Sequence, residues 1–418
     1  MWSSICRQLW NQRRATAWIW VELMVVIVLL WYAIDLIFNY EGAAMQPKGY
    51  DTACVFELKV ETKPLEILSD DDNRQAGEDF DYLYHQIKSY PGVEAVGSYY
   101  GTVPYSEQKM YEGYCAHTDS AHVVNCYIRY ATPDYFQVFP LQPVAGRIEP
   151  ERWRASEYPM PVLMSAQLAD SLFHTTPTDA LGRTCFNPYW LGSKNPVTNY
   201  RLMAVLPPHK TDDYQRYEPF IYLPTSTPRP LWWHNIVLRV HPDRVAGFAE
   251  RFRADMQQAF DRGIFYLASI RSYSDMKEAY DIEQGTVNYL NTAYSVILFF
   301  VFNIFLGILG TFWLRIRKRR SEIALRMSMG CNRRGVMAYY QTEGLLLLLT
   351  AAVPALLICF NIRLADLTVH TLMDDTACRF IFCFVATLLL LALVIAVSIW
   401  FPARKAMQIE PAEALHDE

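Results

Sequence analysis

The sequence predicts a membrane protein of four transmembrane α-helices that carries a large extracytoplasmic α/β domain. Two observations predict this class. Apolar residues make up 52% of the 418 residues, and they gather in four long blocks instead of spreading along the chain. Residues 39–288, between the first two blocks, alternate strand-like and helix-like patterns. This alternation predicts an α/β domain made of a split βαβ part with an inserted, mostly β part.

The overall composition excludes several classes of protein. Charged residues are only 19% of the chain, against about 25% in an ordinary soluble domain. The mean hydropathy of +0.02 is too high for a disordered chain. Nine cysteines are too few for a small disulfide-stabilised fold. The net charge of −5 gives no reason to expect a nucleic acid as partner.

Each apolar block is long enough to cross the hydrocarbon core, which takes about 18–20 helical residues. The first block is longer than the apolar core of a signal peptide, and no small-residue cleavage motif follows it directly, so it is predicted to be an uncleaved anchor. The blocks also lack the alternation that is typical of barrel strands. The predicted transmembrane helices cover residues 18–38, 289–314, 335–360 and 380–403.

The basic residues predict the orientation. Lys and Arg are concentrated in three segments that the positive-inside rule assigns to the cytoplasm, namely the N-terminus 1–17, the loop 315–334 and the tail 404–418. Residues 39–288 contain 32 acidic and 23 basic side chains and are expected outside. A short extracytoplasmic loop, 361–379, then joins the last two helices.

The extracytoplasmic region shows one strand–helix–strand pattern twice, in residues 51–109 and again in 235–273. The two halves are expected to share one sheet, with residues 110–234 inserted between them. That insert is rich in proline, tyrosine and short strand patterns. From Ser274 onward the pattern is helical, and it predicts a helix that continues into the second transmembrane segment with only Gly285 to interrupt it.

Three carboxylates fall inside the predicted transmembrane helices, where a buried charge usually marks a pathway or an ion pair. Glu22 and Asp35 lie toward the two ends of the first helix, and we expect water at the membrane surface to hydrate Asp35. Glu343 lies a third of the way into the third helix and could bond the neighbouring basic loop. No series of carboxylates suggests proton coupling.

The sequence contains little evidence for a catalytic or metal site. Cys115 and Cys126 flank a predicted hairpin, and they could be disulfide-bonded, free and buried, or, with His117 and His122, bound to zinc in a spacing that fits no standard pattern. No Ser/His/Asp or paired-carboxylate arrangement stands out, and no cofactor or metal is predicted. We therefore expect a non-enzymatic chain.

The cytoplasmic loop contains the candidate coupling segment, SEIALRMSMG at residues 321–330. Its helical pattern places Glu322 and Arg326 four residues apart, so that they can pair on one face. Apolar side chains alternate loosely with them, and Gly330 can end the helix. The apolar positions are Ile323, Leu325 (or Ala324), Met327 and Met329. The segment could dock into a groove of a partner ATPase or could anchor the loop to lipid headgroups.

Several stretches together resemble the MacB/FtsX-like permeases of the ABC transporter superfamily, in that family's order. The first group resembles the family's periplasmic core domain and comprises ATPDYFQVF (131–139), AGR (145–147), PVLMSAQLADSLF (161–173) and ALGR (180–183). The second group resembles its coupling segment and terminal motif and comprises RKRRSEIALRMSMGCNRRGVMAYYQTEGLLLLL (317–349) and FPARKAMQIEPAEAL (401–415).

The resemblance implies a porter-like split part in the outer domain and a permease subunit of the bacterial inner membrane. Because the sequence contains no G-x-x-x-x-G-K-[ST] motif, ATP hydrolysis is expected on a separate ABC ATPase subunit. Its motion would drive efflux or release of a drug, antimicrobial peptide or lipoprotein. Further expected partners are a second permease copy or paralogue, membrane lipid, a membrane-fusion protein and an outer-membrane exit channel. The alternative is an FtsX-like regulator that relays ATPase motion to a cell-wall hydrolase.

Overall fold

The computed structural model forms two compact units. One unit comprises Met1–Ala43 and Thr286–Glu418, and the other comprises Ala44–Gly285. The residues that the structure describes are 13–63, 70–116, 122–188, 199–225, 235–260, 264–319 and 332–406, together with Ile323, Leu325, Met327 and Met329.

The described residues form helices and strands with the following bounds. The helices are α1 (Arg13–Met45), α2 (Asp70–Lys88), α3 (Tyr135–Val138), α4 (Ala166–Phe173), α5 (Pro177–Ala180), α6 (Phe248–Phe260), α7 (Tyr273–Glu283), α8 (Thr286–Lys318), α9 (Arg333–Leu364) and α10 (Ala377–Ala406). The strands are β1 (Val55–Thr62), β2 (Val93–Gly101), β3 (Tyr111–Tyr114), β4 (Val124–Ala131), β5 (Ala145–Gly146), β6 (Met160–Ser165), β7 (Thr184–Phe186), β8 (Asn199–Leu206), β9 (Phe220–Pro224), β10 (Asn235–Val240) and β11 (Phe265–Ser272).

The first unit is helical. Within the described chain, α1, α8, α9 and α10 are long and apolar enough to cross a membrane, as the sequence predicts. Helix α10 packs against both α8 and α9. A glycine allows the α9–α10 approach, since a Cβ at Gly344 would lie 2.6 Å from Cδ1 of Ile399 and 2.7 Å from Cγ2 of Ile395. Residues of all four helices form one buried apolar core, which includes Leu30, Ile308, Ala355 and Leu391.

The second unit is built on one mixed sheet of eleven strands, so the predicted fold class is confirmed. The two βαβ halves interleave in the order β11–β1–β10–β2, and each of these neighbouring pairs is antiparallel. Helices α2 and α6 supply side chains such as Phe80, Leu83 and Phe252 to an apolar core shared with these strands. Burial on this face therefore holds together two halves that are far apart in sequence.

The inserted residues extend the same sheet instead of forming a sheet of their own. Strand β4 pairs antiparallel with β2, and the sheet continues through β9, β6, β8 and β5, while β3 pairs with β4 and β7 with β8. The β4–β9 and β6–β8 pairs are parallel. Residues Ala44–Gly285 consequently form a single compact unit.

The helix predicted to continue from Ser274 into the second transmembrane segment is broken in the structure. Helix α7 ends at Glu283, and α8 begins at Thr286. Gly285 adopts φ +72°, a conformation that interrupts helical hydrogen bonding and that glycine tolerates at little cost. This glycine therefore separates the two helices, and the expectation of one unbroken helix was wrong.

Cys115 and Cys126 are not joined by a disulfide, and both side chains are buried. Strand register explains this. Cys126 lies opposite Glu112, whereas Tyr114 lies opposite Val124. Cys115 is thus three residues along the strand from the position facing Cys126, a separation of about 10 Å at ~3.4 Å per residue, which exceeds the reach of a disulfide. Among the described residues no group of His, Cys, Asp and Glu could hold a metal ion, and His117 lies outside them.

Candidate functional site

The structure describes four residues of the candidate coupling segment. Ile323, Leu325 and Met327 are helical, and Met329 lies in a turn. The amide of Ile323 donates to the carbonyl of Arg319 at 3.0 Å, and the amide of Met329 donates to the carbonyl of Leu325, also at 3.0 Å. Both bonds have the i→i−4 spacing of an α-helix. The predicted site residues Glu322, Arg326 and Gly330 lie outside the described residues.

The four apolar side chains of this segment divide between two faces. Ile323 is 5% exposed and belongs to the core of the helical unit, against which Met327, four residues later, also packs. Leu325 is 52% exposed and Met329 is 73% exposed, again four residues apart. Because residues four apart share one side of a helix, one face of the segment packs on the helical unit and the other is exposed.

A buried ion pair fixes the chain on either side of this segment. Glu343 of α9 is 2% exposed and accepts a hydrogen bond from Nη1 of Arg315 in α8. Nη1 of Arg319 lies 3.7 Å from the other oxygen of the same carboxylate. The side chain of Asn332 caps α9 by accepting from the amide of Gly335 at 2.7 Å. The interpretation that Glu343 bonds the neighbouring basic segment is therefore confirmed.

A second buried ion pair joins α1 to α10. Asp35 is 4% exposed and accepts two hydrogen bonds from Arg379 of α10, at 2.8 Å from Nε and 2.6 Å from Nη2. Arg379 also donates to the side-chain oxygen of Asn39 at 3.2 Å and to the carbonyl of Val369 at 2.8 Å. The expectation that water hydrates Asp35 was wrong, because an arginine 344 residues away replaces that water.

Among the described charged side chains of the α/β unit, that of Arg129 is the most deeply buried, at 0% exposure. Its Nε donates to the carbonyl of Thr102 at 2.9 Å, and Nη1 donates to the hydroxyls of Tyr135 at 3.0 Å and Tyr222 at 3.2 Å. The guanidinium carbon lies 5.0 Å from the ring centroid of Phe220, within the range of a cation–π contact. Phenol and aromatic groups thus compensate this cation.

His209 is the buried titratable neighbour of that group. Its Nε2 lies 2.7 Å from the Tyr222 hydroxyl, and its ring lies 5.1 Å from that of Phe220. Burial, with the nearby positive charge of Arg129 as the second cause, lowers the pKa of His209 to about 3. The imidazole is therefore neutral at physiological pH. It has a polar contact with the hydroxyl of Tyr222.

Sequence reasoning did not identify Arg129, Arg379 or the ion pairs of Asp213. No local motif marks these residues, because their partners come from distant segments. The loop HKTDDY at residues 209–214 is a signal that the sequence does contain, since it places five charged or titratable side chains within a region otherwise rich in strands. Asp212 and Asp213 of that loop are both buried.

Comparison with known families gives two matches. The model described as FtsX-like permease C-terminal matches residues 294–411. The model described as MacB-like periplasmic core domain matches residues 53–255. No curated protein matches the chain.

Two solved structures align at low similarity. The extracellular domain of the noncanonic ABC-type transporter YknZ from Gram-positive bacteria is 16% identical with a TM-score of 0.32, over 51% of this chain and 100% of its own. A domain of a permease protein from Porphyromonas gingivalis is 15% identical with a TM-score of 0.33, over 53% of this chain and 90% of its own.

The two family matches fall on the two units of the structure. The periplasmic core match lies within the α/β unit, between the first and second apolar helices, and the FtsX-like match covers most of the other three apolar helices. Together they account for most of the chain, in the order that the sequence motifs indicate. This protein, which spans the membrane and carries a large extracytoplasmic domain, therefore belongs to the MacB/FtsX-like family of ABC transporter permeases.

Proposed function

We propose that this chain is the permease subunit of a MacB-type ABC transporter and has no catalytic residues of its own. A separate ATPase subunit hydrolyses ATP, and the permease converts that motion into a conformational change of the extracytoplasmic domain. The change expels or releases a substrate such as a drug, an antimicrobial peptide or a lipoprotein. The observation that carries this proposal is the division of the coupling segment into an anchored face and an open face.

An open apolar face on an anchored helix is suited to a partner with an apolar groove. Leu325 and Met329 would enter that groove, while Ile323 and Met327 keep the segment seated on its own permease. Glu322 and Arg326 would set the orientation of docking, and Gly330 would end the helix. A segment that only floated on lipid headgroups would not need Ile323 in the core of the helical unit.

The proposed orientation has both termini and the 315–334 segment in the cytoplasm. It rests on the basic side chains that flank the apolar helices. Cysteine substitution at two exposed positions, in a chain whose native cysteines are replaced by serine because Cys378 is exposed, tests it. Asp243→Cys, where the native side chain is 86% exposed, should react with a membrane-impermeant maleimide in intact cells. Met329→Cys should react only after permeabilisation, and the reverse pattern would overturn the orientation.

The docking experiment compares the two faces of the segment. Burying one leucine at an interface contributes about 1.5–3 kcal/mol, so Leu325→Asp should weaken binding of the ATPase by at least about tenfold. The same variant should insert normally, because Leu325 is 52% exposed and is not part of the buried core of the helical unit. Co-purification of the ATPase and permease-dependent stimulation of ATP hydrolysis are the measurements. Met45→Asp, at the last residue of α1 and at a position 82% exposed, is the control.

Met327→Asp tests the other face of the segment, which packs on the helical unit. It buries a carboxylate against the core of the helical unit, so it should lower permease stability as well as ATPase binding. Retention of full ATPase association by Leu325→Asp would overturn the docking proposal and leave lipid anchoring as the role of the segment.

The proposed partners are the ATPase and a second permease copy or paralogue, with a membrane-fusion protein and an outer-membrane channel for export across an outer membrane. Expression with the cognate ATPase in a drug-sensitive host should raise resistance or release of one of the named substrate classes. ATPase-dependent control of a cell-wall hydrolase, without any transported substrate, would instead support the FtsX-like regulator.

A further inference from the structure

Two stretches join the extracytoplasmic unit to the apolar helices. One is residues 46–50, which follow α1, and the other is α7, which precedes α8. The loop between β8 and β9, residues 207–219, contacts both of them. We refer to it as the β8–β9 loop. It leaves and returns to the inserted part of the sheet, and a bridge between His209 and Glu218 closes it.

The β8–β9 loop holds residues 46–50 by backbone and ring contacts. The Tyr217 hydroxyl donates to the carbonyl of Pro47 at 3.0 Å, and the amide of Lys210 donates to the carbonyl of Lys48 at 3.2 Å. Gly49 has φ +90°, and a Cβ there would lie 2.7 Å from Nδ1 of His209. Only glycine suits both this conformation and this close approach.

Asp213 links this stretch to α7. Its side chain is 3% exposed, and Oδ1 lies 2.9 Å from Nζ of Lys48. Its Oδ2 forms a second ion pair with Lys277 of α7. Burial alone would raise the pKa of Asp213, but the hydrogen bonds and charges of Lys277 and Lys48 hold that pKa below its usual value. The carboxylate is therefore charged and shared by two lysines from distant parts of the chain.

Further contacts keep the lysines in place. Nζ of Lys48 also donates to the Tyr105 hydroxyl at 2.6 Å, and the amide of Tyr105 donates to the carbonyl of Thr211 in the β8–β9 loop at 3.1 Å. If the carboxylate of Asp213 were lost, two partly covered ammonium groups would face each other and repel. The link between residues 46–50 and α7 would then be weaker.

We propose that Asp213 is a positioning residue for coupling: through Lys48 and Lys277 it makes the two connections to α1 and α8 move as one body and passes their motion to the inserted part of the sheet. This inference rests on the proposed permease function. It assigns to the β8–β9 loop the role of transmitting helix motion into the extracytoplasmic domain. An ordinary surface ion pair joins two elements, whereas the buried Asp213 carboxylate pairs with lysines of two separate stretches.

The experiment uses the full permease with its cognate ATPase in lipid nanodiscs and measures amide hydrogen exchange with and without ATP and vanadate. In the wild type, nucleotide should change exchange in the apolar helices, in residues 46–50, in α7 and in the β8–β9 loop. In Asp213→Asn the change in the apolar helices should persist, and the change in the β8–β9 loop should fall about tenfold, the size of a typical coupling effect.

Controls separate coupling from folding. Asp134→Asn removes a single exposed ion pair with Lys88 in the same unit and should leave every nucleotide-dependent change intact. Lys277→Gln removes one arm of the link and should weaken the β8–β9 loop response even if Asp213→Asn folds poorly. Asp213→Glu keeps the charge and should restore part of the response.

The two proposals fail in different ways. A wild-type response in the β8–β9 loop of Asp213→Asn or of Lys277→Gln would overturn the positioning role of Asp213. An equal loss of response in Asp134→Asn would overturn it too, because the effect would then be general. Absence of any nucleotide-dependent exchange in the wild-type apolar helices would instead overturn the proposed permease function.

Discussion

Arg379 in the helical unit and Arg129 in the extracytoplasmic unit are both buried, but their charges are compensated in different ways. Arg379 meets the carboxylate of Asp35 with two hydrogen bonds and uses its remaining donors on Asn39 and backbone carbonyls. Arg129 directs its hydrogen bonds to a carbonyl and two phenols and lies against an aromatic ring. One arginine has an ionic partner, and the other has polarisable neutral partners.

The difference sets what each site loses when its arginine is removed. Deleting Arg379 leaves an unpaired carboxylate inside an apolar helical bundle, where no water can solvate it. Deleting Arg129 leaves neutral hydroxyls that can hydrogen-bond one another. Removing Arg379 is therefore expected to lower the free energy of unfolding more than removing Arg129, although both residues bury the same guanidinium group.

The largest effect is expected for Arg379→Leu. Breaking a buried ion pair on one side costs about 3–5 kcal/mol, so the free energy of unfolding of the helical unit should fall by that amount. Denaturant titration in mixed micelles measures it. Replacing Asp35 as well, in Asp35→Leu with Arg379→Leu, should recover most of the loss, because no charge is then left unpaired.

A matched control is Arg363→Leu in the same unit. Arg363 pairs with Asp375 at 2.8 Å, but both side chains are about a quarter exposed. Water can solvate Asp375 when its partner is removed, so this variant should cost at most about 1 kcal/mol. Equal losses for Arg363→Leu and Arg379→Leu would show that burial of the ion pair does not decide its contribution.

The next effect is acid destabilisation of the extracytoplasmic unit through His209. The pKa of His209 is about 3 in the folded protein, below the ordinary value of 6.5. The unfolded chain therefore binds a proton that the folded chain rejects, and stability is lost as the pH falls below 6.5. At pH 5 the loss attributable to this group is about 2 kcal/mol.

The variant His209→Gln isolates that contribution. Gln cannot gain a charge, so the fall in thermal midpoint between pH 8 and pH 5 should be smaller than in the wild type. His241→Gln, at a side chain that is 53% exposed, is the control and should keep the wild-type slope. A wild-type slope in His209→Gln would contradict a neutral, buried imidazole.

A smaller effect is expected for Arg129→Met, which has a similar volume and no charge. The carbonyl of Thr102 loses its donor, while the Tyr222 hydroxyl keeps its contact with His209. The cost should be about 1–2 kcal/mol, close to that of one or two lost hydrogen bonds. Because the charge of Arg129 also lowers the pKa of His209, the acid loss should become shallower in this variant. A cost equal to that of Arg379→Leu would remove the contrast between the two arginines.

Much of the fold could be predicted from the sequence because the controlling patterns are local. Four apolar blocks define the membrane helices, and repeated strand–helix–strand patterns define the sheet that unites distant halves. The helices extend beyond the apolar blocks, as in α1, because polar residues at their ends continue the helix outside an apolar environment. Gly285 shows the limit of pattern reading, since a single positive φ decides whether two helices are one.

Less of the candidate site could be predicted, because it depends on contacts between distant residues. Glu343 lies close in sequence to the basic loop, so a basic partner from that loop could be predicted, although not that the partner is Arg315. Asp35 and Arg379 are 344 residues apart, so no spacing rule joins them. In the coupling segment the sequence shows apolar positions but not which of them the permease uses for itself. That division depends on Ile323 and Met327 meeting the helical core.

The smallest expected effect concerns Asp281 of α7, a buried acid whose compensation is incomplete. Burial raises the pKa of Asp281 to about 6, although the charge of Lys277 lowers it. The folded protein therefore holds a proton between pH 4 and pH 6 that the unfolded chain releases, so this group stabilises the fold at low pH and loses that effect as the pH rises through 6. This slope is opposite to that of His209.

Asp281→Asn removes the cost of the charged form, and it should raise the stability of the extracytoplasmic unit at pH 8 by about 1 kcal/mol. The full pKa shift would give more, but the variant also loses the attraction of Lys277, and part of the carboxylate reaches solvent. The thermal midpoint at pH 8 and pH 5 measures the effect, and the gain at pH 5 should be about half of that at pH 8. Asp275→Asn, on the same helix, serves as the comparison, and it should show no gain. A loss of stability in Asp281→Asn at pH 8 would mean that the lysine compensates this acid as fully as Arg379 compensates Asp35.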